Sequence, residues 1–99
     1  MKIIIVGYGR VGTQLVRLLA HKDHSIVIID KERGALEKAP EEAGVRVLMG
    51  DAVDPDMLRQ AGADTADILL ALTREENTNL MVAQMARIAF KVPKVIGDR

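Results

Sequence analysis

The residues best suited to chemistry are three glycines and one carboxylate. Gly7, Gly9 and Gly12 stand in the run Gly7-Tyr8-Gly9-Arg10-Val11-Gly12, and Asp30 follows 18 positions after Gly12. Between a strand and a helix, Gly7 permits a tight turn and Gly9 lets backbone approach a pyrophosphate with no Cβ in the way. Gly12 lets the helix pack closely on the sheet. The unpaired N–H groups of the first helical turn, around Arg10, Val11 and Gly12, then face the phosphates, where the helix dipole adds partial positive charge. An acid about 20 residues beyond the glycines suits hydrogen bonding to a ribose diol. It repels a 2′-phosphate, which favours NAD, ADP or ATP over NADP, although Lys31 beside it partly offsets this.

The elements that must position these groups follow from the apolar pattern. Ile3 to Val6 is a β-branched run that reads as a first strand. Val11, Leu15, Leu18 and Leu19 form a stripe that predicts a helix to about Lys22, with Gln14, Arg17, His21 and Lys22 off the stripe. Ser25 to Ile29 is a second strand closing on Asp30, which could also cap the next helix. Lys31 to Glu42 predicts a short exposed helix with Leu36 and Ala39 as its apolar positions, weakened by Gly34 and Pro40. Val45 to Met49 is a less hydrophobic third strand, expected at the sheet edge, and Gly50-Asp51-Ala52 follows it. Asp54 and Pro55 are an N-cap and a proline at N1 for a helix through Gln60, stopped by Gly62. Ile68 to Leu72 is a fully apolar fourth strand. Thr73 with Glu76 predicts a capping box for a helix to about Lys91, which Pro93 ends, and Lys94-Val95-Ile96 is a fifth strand.

Five strands alternating with four helices predict an α/β fold: a Rossmann-like doubly wound parallel sheet in the order 3-2-1-4-5. Ligand then lies beyond the carboxyl ends of strands one and four, where the winding reverses. The Gly7 to Gly12 loop, Asp30, Asp51 and Thr73 all fall at such ends. Asp51 fits either an ordinary Gly-Asp turn or ligand contact, and Thr73 either the cap or ligand contact. Arg10 and Arg74 both lie at predicted helix starts, where a dipole disfavours a cation, and a phosphate between them would relieve that conflict.

Composition narrows the classes. The 99 residues suffice for one domain over 1–99, 48% of them apolar, with Tyr8 and Phe90 the only aromatics. The core is therefore aliphatic, as suits strands buried on both faces. Lys and Arg number 14 against 14 Asp and Glu, spread along the chain, so nucleic-acid binding has no basic stripe to rest on. There is no cysteine, which excludes thiolate chemistry and is compatible with a reducing cytoplasm. No apolar run approaches the ~20 residues of a membrane span, so no direct membrane insertion is expected. His21 and His24 lack a carboxylate at ligand spacing, and no metal site is expected. In the last helix, Met81, Val82, Ala83, Met85, Ala86, Ile88, Ala89 and Phe90 cover an arc of about 220°, against the ~100° that docks on a sheet. Gln84 and Arg87 mark the polar remainder. The excess predicts a homodimer through the Glu75–Lys91 helix.

With these residues placed, the chain resembles the nucleotide-binding regulatory domains of potassium transporters and channels, the Trk/Ktr and RCK type. The resemblance rests on Ile3-Ile4-Ile5-Val6-Gly7-Tyr8-Gly9-Arg10-Val11-Gly12, on Ile26 to Lys31, on Gly50-Asp51-Ala52, and on Thr73 with Glu75-Glu76-Asn77-Thr78-Asn79. It implies a sensor in which bound NAD(H), or else ADP, ATP or AMP, changes the geometry of a dimer and so gates a membrane potassium transporter. Such a protein is cytoplasmic, held at the inner face of the membrane by its partner. Carried over, Gly7, Gly9, Arg10, Val11 and Gly12 hold the pyrophosphate, with Tyr8 inside that loop. Asp30 and Lys31 meet the adenosine ribose, Asp51 and Ala52 flank the adenine, and Thr73 stands near the second half of the ligand; Gly50 and Arg74, next to these, are counted among the cofactor-binding residues. Two features depart from the family: Gly97-Asp98-Arg99 replaces the usual Ala-Arg-Val, and the chain stops before a sixth strand.

An oxidoreductase would need a substrate pocket and a general acid or base beside the cofactor. None is identifiable, so a non-catalytic sensor is expected. The alternative is the cofactor-binding part of an NAD-dependent oxidoreductase, and a third reading is a Rossmann scaffold without ligand.

Overall fold

The computed structural model describes residues 1–20 and 23–97. Its sheet grows from the aliphatic runs. Strands β1 (Lys2–Val6), β2 (Ser25–Asp30) and β4 (Ile68–Ala71) form its centre, and β3 (Val45–Met49) and β5 (Lys94–Ile96) its edges, in the order β3-β2-β1-β4-β5 with every pairing parallel. Ile3 to Val6 and Ile26 to Ile29 are buried on both faces, which is why they read as unbroken apolar runs. The edge strand β3 exposes Val47 and Met49, in keeping with its weaker pattern. Register aligns Val6 with both Ile29 and Ala71, so the carboxyl ends of the three central strands finish level.

Helices α1 (Arg10–Leu19) and α2 (Arg33–Leu36) cover one face over Ile3, Ile5, Ile26, Ile28 and Leu70. Helices α3 (Pro55–Gln60) and α4 (Glu76–Ile88) cover the other over Ile4, Val6, Val27, Ile29 and Leu69. Asp54 caps α3 by accepting the Asp56 N–H at 2.9 Å, with Pro55 at its first position, and Gly62 turns the chain at φ 91°.

Several local expectations need correction. The buried stripe of α1 is Gly12 and Val16, flanked by half-buried Leu15 and Leu19, while Val11 and Leu18 face outward. The helix touches the sheet at a glycine, so a stripe drawn from large apolar residues is rotated from the true contact line. Helix α1 ends at Leu19, and His21 and Lys22 lie outside the described residues. The charged segment after Asp30 gives only the single turn of α2, because Leu36 is its one buried anchor. Helix α4 stops at Ile88 instead of Lys91. Its end widens, with the Phe90 N–H reaching the Met85 carbonyl and the Val92 N–H reaching Ala86, and Lys91 turns left-handed at φ 56°. The fourth strand ends one residue early, at Ala71, though the Leu72 N–H still bonds the Val6 carbonyl.

Candidate functional site

The glycine loop runs from β1 into α1 and is held tightly. Gly7, at φ 97°, donates its N–H to the Ile29 carbonyl at 2.8 Å, and a Cβ there would stand 2.8 Å from the Thr73 nitrogen. A Cβ on Gly12 would meet the Gly7 carbonyl oxygen at 2.5 Å, so this glycine sets how closely α1 approaches β1. Gly9 differs: a Cβ would meet nothing within 4 Å. It is the N-cap of α1 and, as a glycine, supplies no side-chain cap hydrogen bond. The opening of α1 is unobstructed on the side where Gly9 faces the crevice.

The second strand brings its acid to the same place. Asp30 Oδ2 accepts the Tyr8 N–H at 2.7 Å and Oδ1 accepts the Glu32 N–H at 2.8 Å. Asp30 therefore does not cap α2, whose N-cap is Glu32 with no side-chain bond. It ties the glycine loop to the chain leaving β2. The Tyr8 ring is buried in the cluster that α1 covers, and burial pushes its hydroxyl above the ordinary tyrosine range, against the smaller opposing effects of Thr13 and the Arg17 charge. Thr13 also donates to the Gly9 carbonyl at 2.6 Å.

Beyond β3, Asp51 Oδ1 accepts the Val53 N–H at 3.1 Å, a turn role distinct from the capping done by Asp54. Beyond β4, no capping box forms. Helix α4 starts at Glu76 with Glu75 as an uncapped N-cap, and the Thr73 hydroxyl instead accepts the Glu75 N–H at 3.2 Å. Thr73 is held by Asn79, whose Oδ1 accepts both the Thr73 N–H at 3.0 Å and its hydroxyl at 2.6 Å, while Nδ2 donates to the Thr73 carbonyl at 3.0 Å. Asn79 lies one turn into α4 and can reach back to all three groups, which a Glu at 76 does not.

Gly7, Tyr8, Gly9, Arg10, Asp30, Lys31, Gly50, Asp51, Ala52, Thr73 and Arg74 line one cavity of about 920 Å³ at the carboxyl ends of the strands. Arg74 sits two residues ahead of α4 and not on its first turn. Two residues expected at this site lie elsewhere. Gly12 is buried against Gly7, and Val11 turns outward into a neighbouring cavity of about 630 Å³ with Leu80, Asn77 and Gly97. Leu72 and Thr73 border both cavities. Of the departing tripeptide, Asp98 and Arg99 lie outside the described residues.

Sequence reasoning missed part of the wall: Thr13, Gln14 and Arg17 from α1, Glu32, Ala35 and Lys38 around α2, and Glu75 and Thr78 at the start of α4. The three from α1 follow one helical face at i, i+1 and i+4, a signal present in the sequence once the sheet-facing side is known. Among the described residues no group of three or more His, Cys, Asp or Glu could hold a metal, and no helix is long and apolar enough to cross a membrane.

A doubly wound parallel sheet with a cavity at its switch point and a glycine loop opening a helix defines a Rossmann-type domain. The chain belongs to the TrkA-N domain family, which matches residues 3–98. The Trk system potassium uptake protein TrkA of Haemophilus influenzae is 39% identical over 97 residues, covering 98% of this chain and 21% of that protein. The protein of the same name from Streptomyces coelicolor is 34% identical over 95 residues, covering 96% of this chain and 43% of that one. The chain thus spans about a fifth to two fifths of these relatives. Among solved structures, the TrkA-N domain of the inner membrane protein ybaL from Escherichia coli superposes with a TM-score of 0.82 at 26% identity, covering 96% of this chain and 70% of that one. The AMP-bound Kef C-terminal domain of Shewanella denitrificans gives 0.79 at 27%, covering 97% and 58%. A short-chain dehydrogenase/reductase of Veillonella parvula in complex with NADP gives 0.75 at 22%, covering 97% and 46%, a likeness of fold alone.

Proposed function

We propose that the chain is a non-catalytic sensor that binds NAD(H), or else ADP, ATP or AMP, in the cavity at the switch point and regulates a membrane potassium transporter through a ligand-dependent dimer. One observation carries the reading: loops from four strands bring a side-chain-free helix opening, a loop-bound acid and two arginines, Arg10 and Arg74, that have no ion-pair partner among the described residues, around a single cavity. The opening of α1 with the two guanidinium groups suits a diphosphate. Asp30 suits the adenosine ribose, and Asp51 and Ala52 flank the place for the adenine. The adjoining cavity, walled by Val11 and Leu80 and furnished with Asn77, gives a dinucleotide room for its second half. The names of the relatives, Trk system potassium uptake protein TrkA, support potassium uptake as the setting. A transporter subunit as partner and the inner face of the membrane as location belong to the same proposal.

Helix α4 supports the dimer. Val82, Ala83 and Ala86 dock on the sheet, whereas Leu80, Met81 and Ile88 stay exposed at 42%, 53% and 73%. Large apolar side chains left outside on one helix suit a second copy of the chain.

Calorimetric titration with NAD, NADH, ADP, ATP and AMP tests the reading, with saturable binding of at least one expected and absence of heat from all five overturning it. Absorbance at 340 nm with NADH and a panel of carbonyl substrates separates sensor from enzyme. Sustained turnover by this chain would transfer the assignment to an oxidoreductase.

A further inference from the structure

The cavity contains its own counter-charge. Five cations line it, Arg10, Arg17, Lys31, Lys38 and Arg74, and among the described residues Lys31 is the one engaged in an ion pair. Its Nζ stands 3.7 Å from Glu75 Oε1, and that same oxygen accepts the Thr78 hydroxyl at 3.1 Å. Lys31 follows β2 and Glu75 precedes α4, on either side of β1 in the sheet order. The pair therefore bridges the two banks of the cavity on either side of the glycine loop.

We propose that Glu75 is an internal competitor for anionic ligand, a carboxylate that neutralises Lys31 in the empty site and must be displaced when phosphates enter. The inference rests on the nucleotide reading of this cavity and adds a residue that reading does not use.

Three features make the exchange feasible. The separation is that of an ion pair without a hydrogen bond, and the two side chains are 55% and 64% exposed, so solvent screens the attraction and breaking it costs little. A diphosphate offers Lys31 more negative charge than one carboxylate does, and left in place the Glu75 charge would repel it. Displacement also has somewhere to act. Glu75 is the N-cap of α4, its carbonyl accepts the Asn79 N–H at 3.0 Å, and its N–H and carbonyl both bond the Thr73 hydroxyl. Ligand charge thus meets the first turn of the helix whose outer face is apolar.

A double-mutant cycle with E75Q, K31Q and the double variant tests this, using calorimetric titration with ADP and with NAD. In low salt E75Q binds about threefold to tenfold more tightly than the unaltered protein, and the gain falls below about twofold in 0.5 M NaCl as screening shortens to a few ångströms. In the K31Q background the Glu75 substitution changes affinity less than it does alone, because the coupled partner is gone. Thermal unfolding of all four proteins verifies that the exposed substitutions leave the fold intact. Unchanged or weaker binding by E75Q, or a gain of equal size in the K31Q background, overturns the competitor role while leaving the nucleotide reading standing. Failure of all four proteins to bind any of NAD, NADH, ADP, ATP and AMP overturns both together.

Discussion

The Asp30 carboxylate reaches from the end of β2 to accept the Tyr8 N–H at 2.7 Å, making the acid and the glycine loop one hydrogen-bonded unit. Its second oxygen holds the Glu32 N–H at 2.8 Å. Replacing Asp30 with Ala leaves the part-buried Tyr8 N–H without its acceptor and hands the exposed Glu32 N–H to water. The expected loss is about 1–3 kcal/mol in urea denaturation of the ligand-free protein, together with weaker nucleotide binding. Weaker binding with unchanged stability would mean that the bond to Tyr8 holds nothing together.

Two of the motif glycines, Gly9 and Gly12, separate by experiment. Gly12→Ala drives a methyl to 2.5 Å from the Gly7 carbonyl oxygen, so α1 must lift off the sheet, and a loss of about 1–3 kcal/mol is expected. Gly9→Ala meets nothing within 4 Å, and its stability should stay within about 1 kcal/mol of the unaltered protein. Its calorimetric affinity for nucleotide should nonetheless fall at least about tenfold if backbone there approaches a pyrophosphate. Unchanged affinity in Gly9→Ala would remove the phosphate from this loop.

Asn79 fixes Thr73 through three hydrogen bonds. Asn79→Ala should cost about 1–3 kcal/mol by chemical denaturation. Asn79→Asp keeps the acceptor but sets a carboxylate oxygen against the Thr73 carbonyl, and it should not restore stability. Full stability in Asn79→Asp would show that the amide donor is dispensable.

Alkaline pH should act through Tyr8. Burial raises its pKa above the ordinary value near 10, so from about pH 10 upward the unfolded chain releases this proton while the folded chain retains it. The folded state then binds more protons, and stability present below pH 10 is lost as pH rises toward the folded pKa. Urea denaturation at pH 9 and pH 11 should show a larger fall for the unaltered protein than for Tyr8→Phe. Equal falls would assign the loss to other groups.

Much of this protein was legible in the chain itself. Unbroken aliphatic runs announce strands buried on both faces, and the alternation of strands with helical patterns leaves few topologies, so the order 3-2-1-4-5 follows from local patterns and handedness. The glycine spacing, the acid ending β2 and the cap at Asp54 are equally local, and they stand where the pattern puts them. Other features were decided only when the elements met. Gly12, the residue with least side chain, marks the contact line of α1, and apolarity counting rotates the buried face away from it. Thr73 follows Asn79 and not Glu76 because a hydrogen bond depends on which side chain reaches back across the first turn of α4. Lys31 and Glu75, far apart in sequence, come to 3.7 Å because β2 and β4 flank β1. Periodicity fixes what each segment becomes, since it arises from neighbours along the chain. Which side chains share a cavity depends on crossovers and register, and those exist only in the folded sheet.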